Sequence, residues 1–214
     1  MRYLIVPSII ATNQNQLNAI LNKVNGKVER VQLDIMDGDF VPNKSLDFDF
    51  EIPNYFEYEA HLMIKQPLKW ISKNTQKIQT IIMHIETLKN VPEALDFAKN
   101  KGIKIGLAAK IETKLEKILP YMDRIDQLLL MTVDPGSYCI GKEFRSEPLD
   151  NIKRIREYYP TISIEVDGCM NPKNAKLARE AGANIFVSGS FILKSNNIVE
   201  AINELKDAIS ANNL

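Results

Sequence analysis

The chain has 214 residues, of which 45% are hydrophobic and 25% charged, the make-up of an ordinary globular protein long enough to bury a substantial core. Lysines and arginines total 27 and aspartates and glutamates also 27, so the formal charge is zero and no basic field is present to attract nucleic acid. No apolar run approaches the length of a bilayer span, which sets aside a membrane protein, and two cysteines are too few for a disulfide scaffold.

The N-terminal MRYLIVPSII contains Pro7 and is followed by no small-residue cleavage site, so residues 3–9 read as a first strand and not as a signal segment. With no secretion signal, Cys139 and Cys169 are expected to be free thiols in a reducing cytosol. Seven further short apolar runs follow, at residues 30–36, 58–64, 80–86, 104–110, 127–133, 163–167 and 185–190. Most are nearly continuous in apolar residues, as expected of parallel strands covered on both faces.

Helical spacing fills the intervals at residues 14–23, 91–100, 148–158, 172–181 and 197–210. Asn171 and Pro172 make an N-cap and first-turn pair, and Gly182 stands where a C-terminal glycine ends that helix. The second unit is the exception: residues 39–54 read as a long polar loop with at most a short helix. Eight such units in one chain predict an α/β fold, a single (β/α)8 TIM barrel forming one domain over residues 1–214.

In such barrels the active site lies at the C-terminal ends of the strands, where this sequence places Ser8, Gln32, Asp34, His61, His84, Asp134, Asp167, Ser188 and Ser190. Asp34 in LDIMDG and Asp167 in IEVDG are acids embedded in apolar strands. A carboxylate buried alone costs several kcal/mol or neutralises itself, so each needs a partner, a metal or a chemical task. Two at the same end of two strands suit proton abstraction and return. The only histidines, His61 and His84, fall near strand ends, and Asp34, His61 and Asp167 together suit zinc, iron or manganese. A single strand histidine is otherwise ordinary core. Gly168, Gly189 and Ser190 lie in the seventh and eighth βα turns, where backbone N–H groups can approach a phosphate.

Six motifs in the same order resemble those of the ribulose-phosphate 3-epimerase family: PSI around Ser8, LDIMDGDFVPN over residues 33–43, HLM over 61–63, MTVDPG over 131–136, IEVDG over 164–168, and Gly189-Ser190. The resemblance implies a barrel that inverts C3 of a ketose phosphate, chiefly ribulose 5-phosphate and xylulose 5-phosphate, with a divalent metal and commonly as a homo-oligomer. It implies Asp34 and Asp167 as acid and base working through a cis-enediolate, with Asp34, His61, Asp167 and position 32 holding the metal. Ser8, His61, Met36, Met63, Met131 and Gly136 would contact the sugar, and Gly168, Cys169, Gly189 and Ser190 its phosphate.

Three departures from the family pattern stand out. Gln32 replaces a histidine ligand, offering an amide oxygen that is a poorer ligand for zinc. The glycine-rich turn at residues 136–144 is about two residues longer, keeping Gly136 and Gly141, and Cys169 replaces a glycine. The last change and HIET at residues 84–87 are similar to an allulose 6-phosphate branch, so a hexulose phosphate is an alternative substrate. Two further readings stand beside these: an aldolase using Lys110, and a metal-free barrel that binds a sugar phosphate without turning it over.

Overall fold

The computed structural model describes residues 2–74, 76–137, 139 and 142–210, so Gly141 lies outside the described residues. Ten strands form in chain order: β1 (Leu4–Val6), β2 (Ser8–Ile9), β3 (Arg30–Asp37), β4 (Lys44–Ser45), β5 (Glu57–Met63), β6 (Thr80–His84), β7 (Lys104–Ala109), β8 (Gln127–Met131), β9 (Ser163–Asp167) and β10 (Ile185–Val187). All but β4 run parallel around a barrel, as the continuous apolar runs predict. The first predicted strand is in two pieces because Pro7 has no N–H to give to a ladder. That break is also the seam. β1 pairs with β10 and β2 with β3, while the Pro7 carbonyl accepts from the Gln32 N–H at 3.0 Å.

Helices α1 (Gln14–Val24), α2 (Pro67–Ile71), α3 (Val91–Lys99), α4 (Glu147–Tyr158), α5 (Pro172–Ala181), α6 (Ser190–Leu193) and α7 (Ile198–Ser210) accompany the strands. Asn13, Asn90 and Asn171 cap α1, α3 and α5 by accepting from Gln16, Glu93 and Asn174 N–H groups, and Gly182 closes α5 at φ +114°. The main core lies between barrel and helices, where Leu17 and Leu21 of α1, Ile152 and Ile155 of α4 and Leu205 of α7 are buried. Each such side chain contributes roughly 1.5–3 kcal/mol by leaving water.

Several boundaries differ from the sequence expectation. The strands expected to reach residues 86 and 190 stop at His84 and Val187 and turn at once into a 3-10 turn (Ile85–Thr87) and into α6. The second unit has no helix: Asp37 accepts from the N–H groups of Asp39, Phe40 and Lys65 at 2.7–2.9 Å, folding the chain back so that β4 pairs antiparallel with β3. After β7 two 3-10 turns, Leu115–Lys117 and Leu119–Arg124, stand where a helix would.

Strand alternation sorts the barrel interior into layers. Gln32 and Asp34, Glu59 and His61, and Glu165 and Asp167 are pairs two residues apart, each pair on one inward face. Glu59 and Glu165 belong to a buried network in which Gln127 donates to both, and Arg30 pairs with Glu59 at 3.4 Å. Burial pushes both glutamates up, and each keeps one carboxyl oxygen without a partner. Asp34 and Asp167 face the mouth, with His61 and the Gln32 amide beneath them.

Candidate active site

The parallel register places Asp34 opposite His61, Ser8 opposite Gln32, and Asp167 beside both Met131 and Val187. Asp34, His61 and Asp167 thereby converge, with one donor atom of each within 4.8 Å of the others. The Gln32 amide lies among them and bridges the acids, its Nε2 donating to Asp34 Oδ1 at 2.8 Å and to Asp167 Oδ2 at 2.9 Å.

Above this cluster opens a cavity of about 340 Å³ lined by both aspartates, Ser8, Met36, Met63, Met131, Gly136, Gly168, Cys169, Gly189 and Ser190. Of the side chains expected to touch a ligand, one is misplaced. His61 has no exposed surface and lies under the carboxylates, so it meets a bound molecule only through them or an ion. Its ring meets that of His84 edge to edge, the centroids 5.0 Å apart and the planes inclined by 22°, and His84 is equally buried. Asp134 is exposed and outside the lining, and the Ser188 hydroxyl is used structurally, donating to the Met170 carbonyl at 2.9 Å. Lys110 also stays outside the cavity, its ammonium 4.1 Å from the centre of the Phe40 ring, so it does not stand at a reacting carbon as the lysine of a Schiff-base aldolase would need to.

The turn after β9 is tightly built. Gly168 has φ +129°, and a Cβ there would stand 2.6 Å from Val133 Cγ1 and 2.8 Å from the Val133 nitrogen, so only glycine fits. Thr132 Oγ1 donates to the Gly168 carbonyl at 2.8 Å and fixes the turn. Gly189 serves closeness: a Cβ there would meet Ser8 Oγ at 2.4 Å.

The cysteines are not free. Cys139 and Cys169 form a disulfide with Cα atoms 5.1 Å apart, inside the range such a bond requires. The 30-residue separation hides their proximity: their loops rise from β8 and β9, which are neighbours in the barrel. Both line the cavity, so the bond ties the loop after β8 to the turn beside Gly168.

The electrostatics divide the titratable groups. Burial pulls the His61 imidazole down, but hydrogen bonding to Asp167 and Asp34 outweighs it and raises its pKa to about 9. Burial pushes Asp34 up, ahead of the opposing pull of His61 and assisted by the charge of Asp167. His84 is lowered to about 4 by burial, against the pull of Glu86, and so is neutral at pH 7. Glu86 resists its own burial through the bond to His84 and falls to about 2.

The donor set suits a divalent cation: two carboxylates and an imidazole already share one point, and Gln32 Oε1 is buried with no partner. The two ends of an amide are interchangeable in placement, and exchanging them turns that oxygen toward the acids as a fourth ligand. Oxygen-rich ligation of this kind favours harder ions than an imidazole-rich set does.

Sequence reasoning missed Thr132, Glu86 and the cavity residues Thr12, Gln16 and Lys194. Lys194, the only cationic side chain of the lining among the described residues, follows Ser190 by one helical turn, a spacing that carries meaning only once α6 is known to end there.

A family model described as the ribulose-phosphate 3 epimerase family matches residues 4–193. Ribulose-phosphate 3-epimerase of Schizosaccharomyces pombe is 31% identical over 188 residues, covering 84% of this chain and 81% of that protein. The enzyme of the same name from Chlamydia muridarum is 31% identical over 215 residues, covering 91% and 90%. Among solved structures, 3-hexulose-6-phosphate synthase from Salmonella typhimurium superposes with a TM-score of 0.69 over 97% of this chain and 98% of that one, at 12% identity, a likeness of fold alone.

Proposed function

Because the chain belongs to the ribulose-phosphate 3-epimerase family of isomerases, we propose that it inverts C3 of a ketose phosphate, ribulose 5-phosphate with xylulose 5-phosphate first, using Asp34 and Asp167 as acid and base. The observation that carries this reading is that both carboxyls line one cavity while a single amide spans them.

In one direction Asp167 takes the C3 proton, and the electron pair of the broken C–H bond shifts to the C2 carbonyl oxygen, giving a cis-enediolate. Asp34, which burial favours in its protonated form, returns a proton to the opposite face of C3. The reverse reaction exchanges the two roles. Met36, Met63 and Met131 present apolar surface to the flat intermediate and keep water from delivering protons at random. Ser8 orients the sugar. The phosphate meets backbone amides at Gly168, Cys169, Gly189 and Ser190, with Lys194 supplying the balancing charge. Asp34, His61, Asp167 and Gln32 would hold a divalent metal, zinc, iron or manganese, whose charge lowers the cost of oxyanion formation at C2 and C3.

The test is solvent deuterium exchange. Incubated in deuterium oxide with ribulose 5-phosphate, the protein should place deuterium at C3 and produce xylulose 5-phosphate, and Asp34→Asn and Asp167→Asn should each abolish this. Exchange retained in both variants sinks the two-carboxylate mechanism; exchange seen with hexulose phosphates but not pentulose phosphates reassigns the substrate.

A further inference from the structure

Behind the cavity, and touching none of it, three side chains form a line. Glu86 sits on the 3-10 turn that ends β6, with Oε1 accepting from the Lys110 N–H at 2.9 Å and from the Thr113 hydroxyl. Its Oε2 faces His84 Nδ1 at 3.1 Å. His84 Nε2 faces His61 Nε2 at 2.9 Å, and His61 Nδ1 looks the other way, 3.4 Å from Asp167 Oδ2 and 3.6 Å from Asp34 Oδ1.

The order of donors follows from these contacts. A carboxylate held by two donors has only acceptor capacity left, so the hydrogen of His84 must lie on Nδ1. The two Nε2 atoms, 2.9 Å apart, can share only one hydrogen, and a His61 that offers its Nδ1 lone pair to a cation must be the one that carries it, so His84 Nε2 accepts. With that hydrogen committed, the free lone pair of a neutral His61 is at Nδ1, aimed between Asp34 and Asp167. A lone imidazole would divide between two tautomers and two ring orientations; this one has a single arrangement.

We infer that Glu86 and His84 are positioning residues that fix the tautomer and orientation of His61 so that its Nδ1 is presented to a divalent cation held with Asp34 and Asp167. The inference rests on the reading of that cluster as a cation site and adds to it two residues that touch neither ion nor substrate. It also accounts for a histidine with no exposed surface remaining polar and ordered. Orienting groups of this sort affect metal affinity by about 10- to 100-fold.

Glu86→Gln gives the sharpest test, because the variant keeps the size of the side chain and reverses the order of donors. Its amide oxygen still accepts from Lys110 and Thr113, while its NH₂ now donates to His84 Nδ1. His84 must then carry its hydrogen on Nε2, so the hydrogen that a neutral His61 keeps lies on Nδ1, where the ion should bind, and not on Nε2 as in wild type. Calorimetric titration of the metal-free proteins with Mn²⁺ should show affinity at least 10-fold weaker in Glu86→Gln than in wild type, with little change in Tm. Nitrogen-15 spectra of the same metal-free samples should show His84 protonated on Nδ1 in wild type and on Nε2 in the variant. Equal Mn²⁺ affinity with the tautomer reversed overturns the positioning role alone, whereas a wild-type protein that takes up no Mn²⁺ overturns the cation reading beneath it. If Glu86→Gln fails to fold, the wild-type spectrum still decides: a His84 protonated on Nε2 refutes the relay.

Discussion

The amide of Gln32 reaches the carboxylate of Asp167 at 2.9 Å across 135 residues of chain. The same nitrogen also donates to Asp34, so one neutral group holds the acids in register where an imidazole would have brought a stronger metal ligand. Gln32→His should therefore raise affinity for Zn²⁺ by about 10-fold or more relative to Mg²⁺, since imidazole suits zinc and an amide oxygen suits harder ions. Calorimetric titration of metal-free wild type and variant with both ions checks this, and an unchanged ratio of the two affinities counts against Gln32 as a ligand.

Among the described residues, Lys194 is the only positive side chain lining the cavity. Lys194→Met should raise KM for a ketose phosphate by about 10- to 100-fold, the worth of a hydrogen bond to a charged group, with kcat nearly unchanged. Steady-state kinetics separate the two constants. A fall in kcat with KM unaltered would place the lysine at the reacting carbons instead.

Reduction of the Cys139–Cys169 bond should release the loop over the cavity and lower stability by roughly 3–4 kcal/mol, the chain-entropy value for a 30-residue separation. Urea denaturation with and without dithiothreitol measures it. A thiol titration should find two reactive groups only after reduction, and two groups without reductant would show that the bond does not form in solution.

Much of this site was legible before the fold was known. Asp34 and Asp167 stand out because acids are scarce in apolar strands, and strand periodicity alone puts them at the mouth with His61. What stayed hidden depends on neighbours distant in sequence. HIET shows a histidine and a glutamate two apart, but that His84 meets His61 follows only from the pairing of β5 with β6. The disulfide likewise depends on β8 lying beside β9, and the missing second helix on Asp37 gathering three backbone N–H groups. Burial of His61 beneath the acids could not be told from burial beside them, since both satisfy the same alternation.

The histidine pair should make its largest contribution to the stability of the metal-free protein near pH 6.5. His84 falls from 6.5 to about 4 on folding, so between those values the unfolded chain binds a proton that the native state refuses, and stability declines on acidification. His61 rises from 6.5 to about 9, so its contribution is complete below pH 6.5 and is lost as pH climbs through 9. Each flank spans on the order of 3 kcal/mol. Denaturation midpoints from pH 4 to 9 trace the curve, and His84→Asn should flatten its acidic side; an acidic side as steep as in wild type would mean that other groups set it.

The seam at Pro7 bears on how the molecule is born. β1 waits for β10, which leaves the ribosome some 180 residues after it, so an unfinished chain carries open sheet edges that other chains can join. Contacts this remote in sequence close slowly. Asp34 is synthesised early but meets Asp167 only when β9 docks, so a truncated or stalled chain holds one of the two acids that the proposed mechanism needs, and a slow closing step should show as a lag between synthesis and activity.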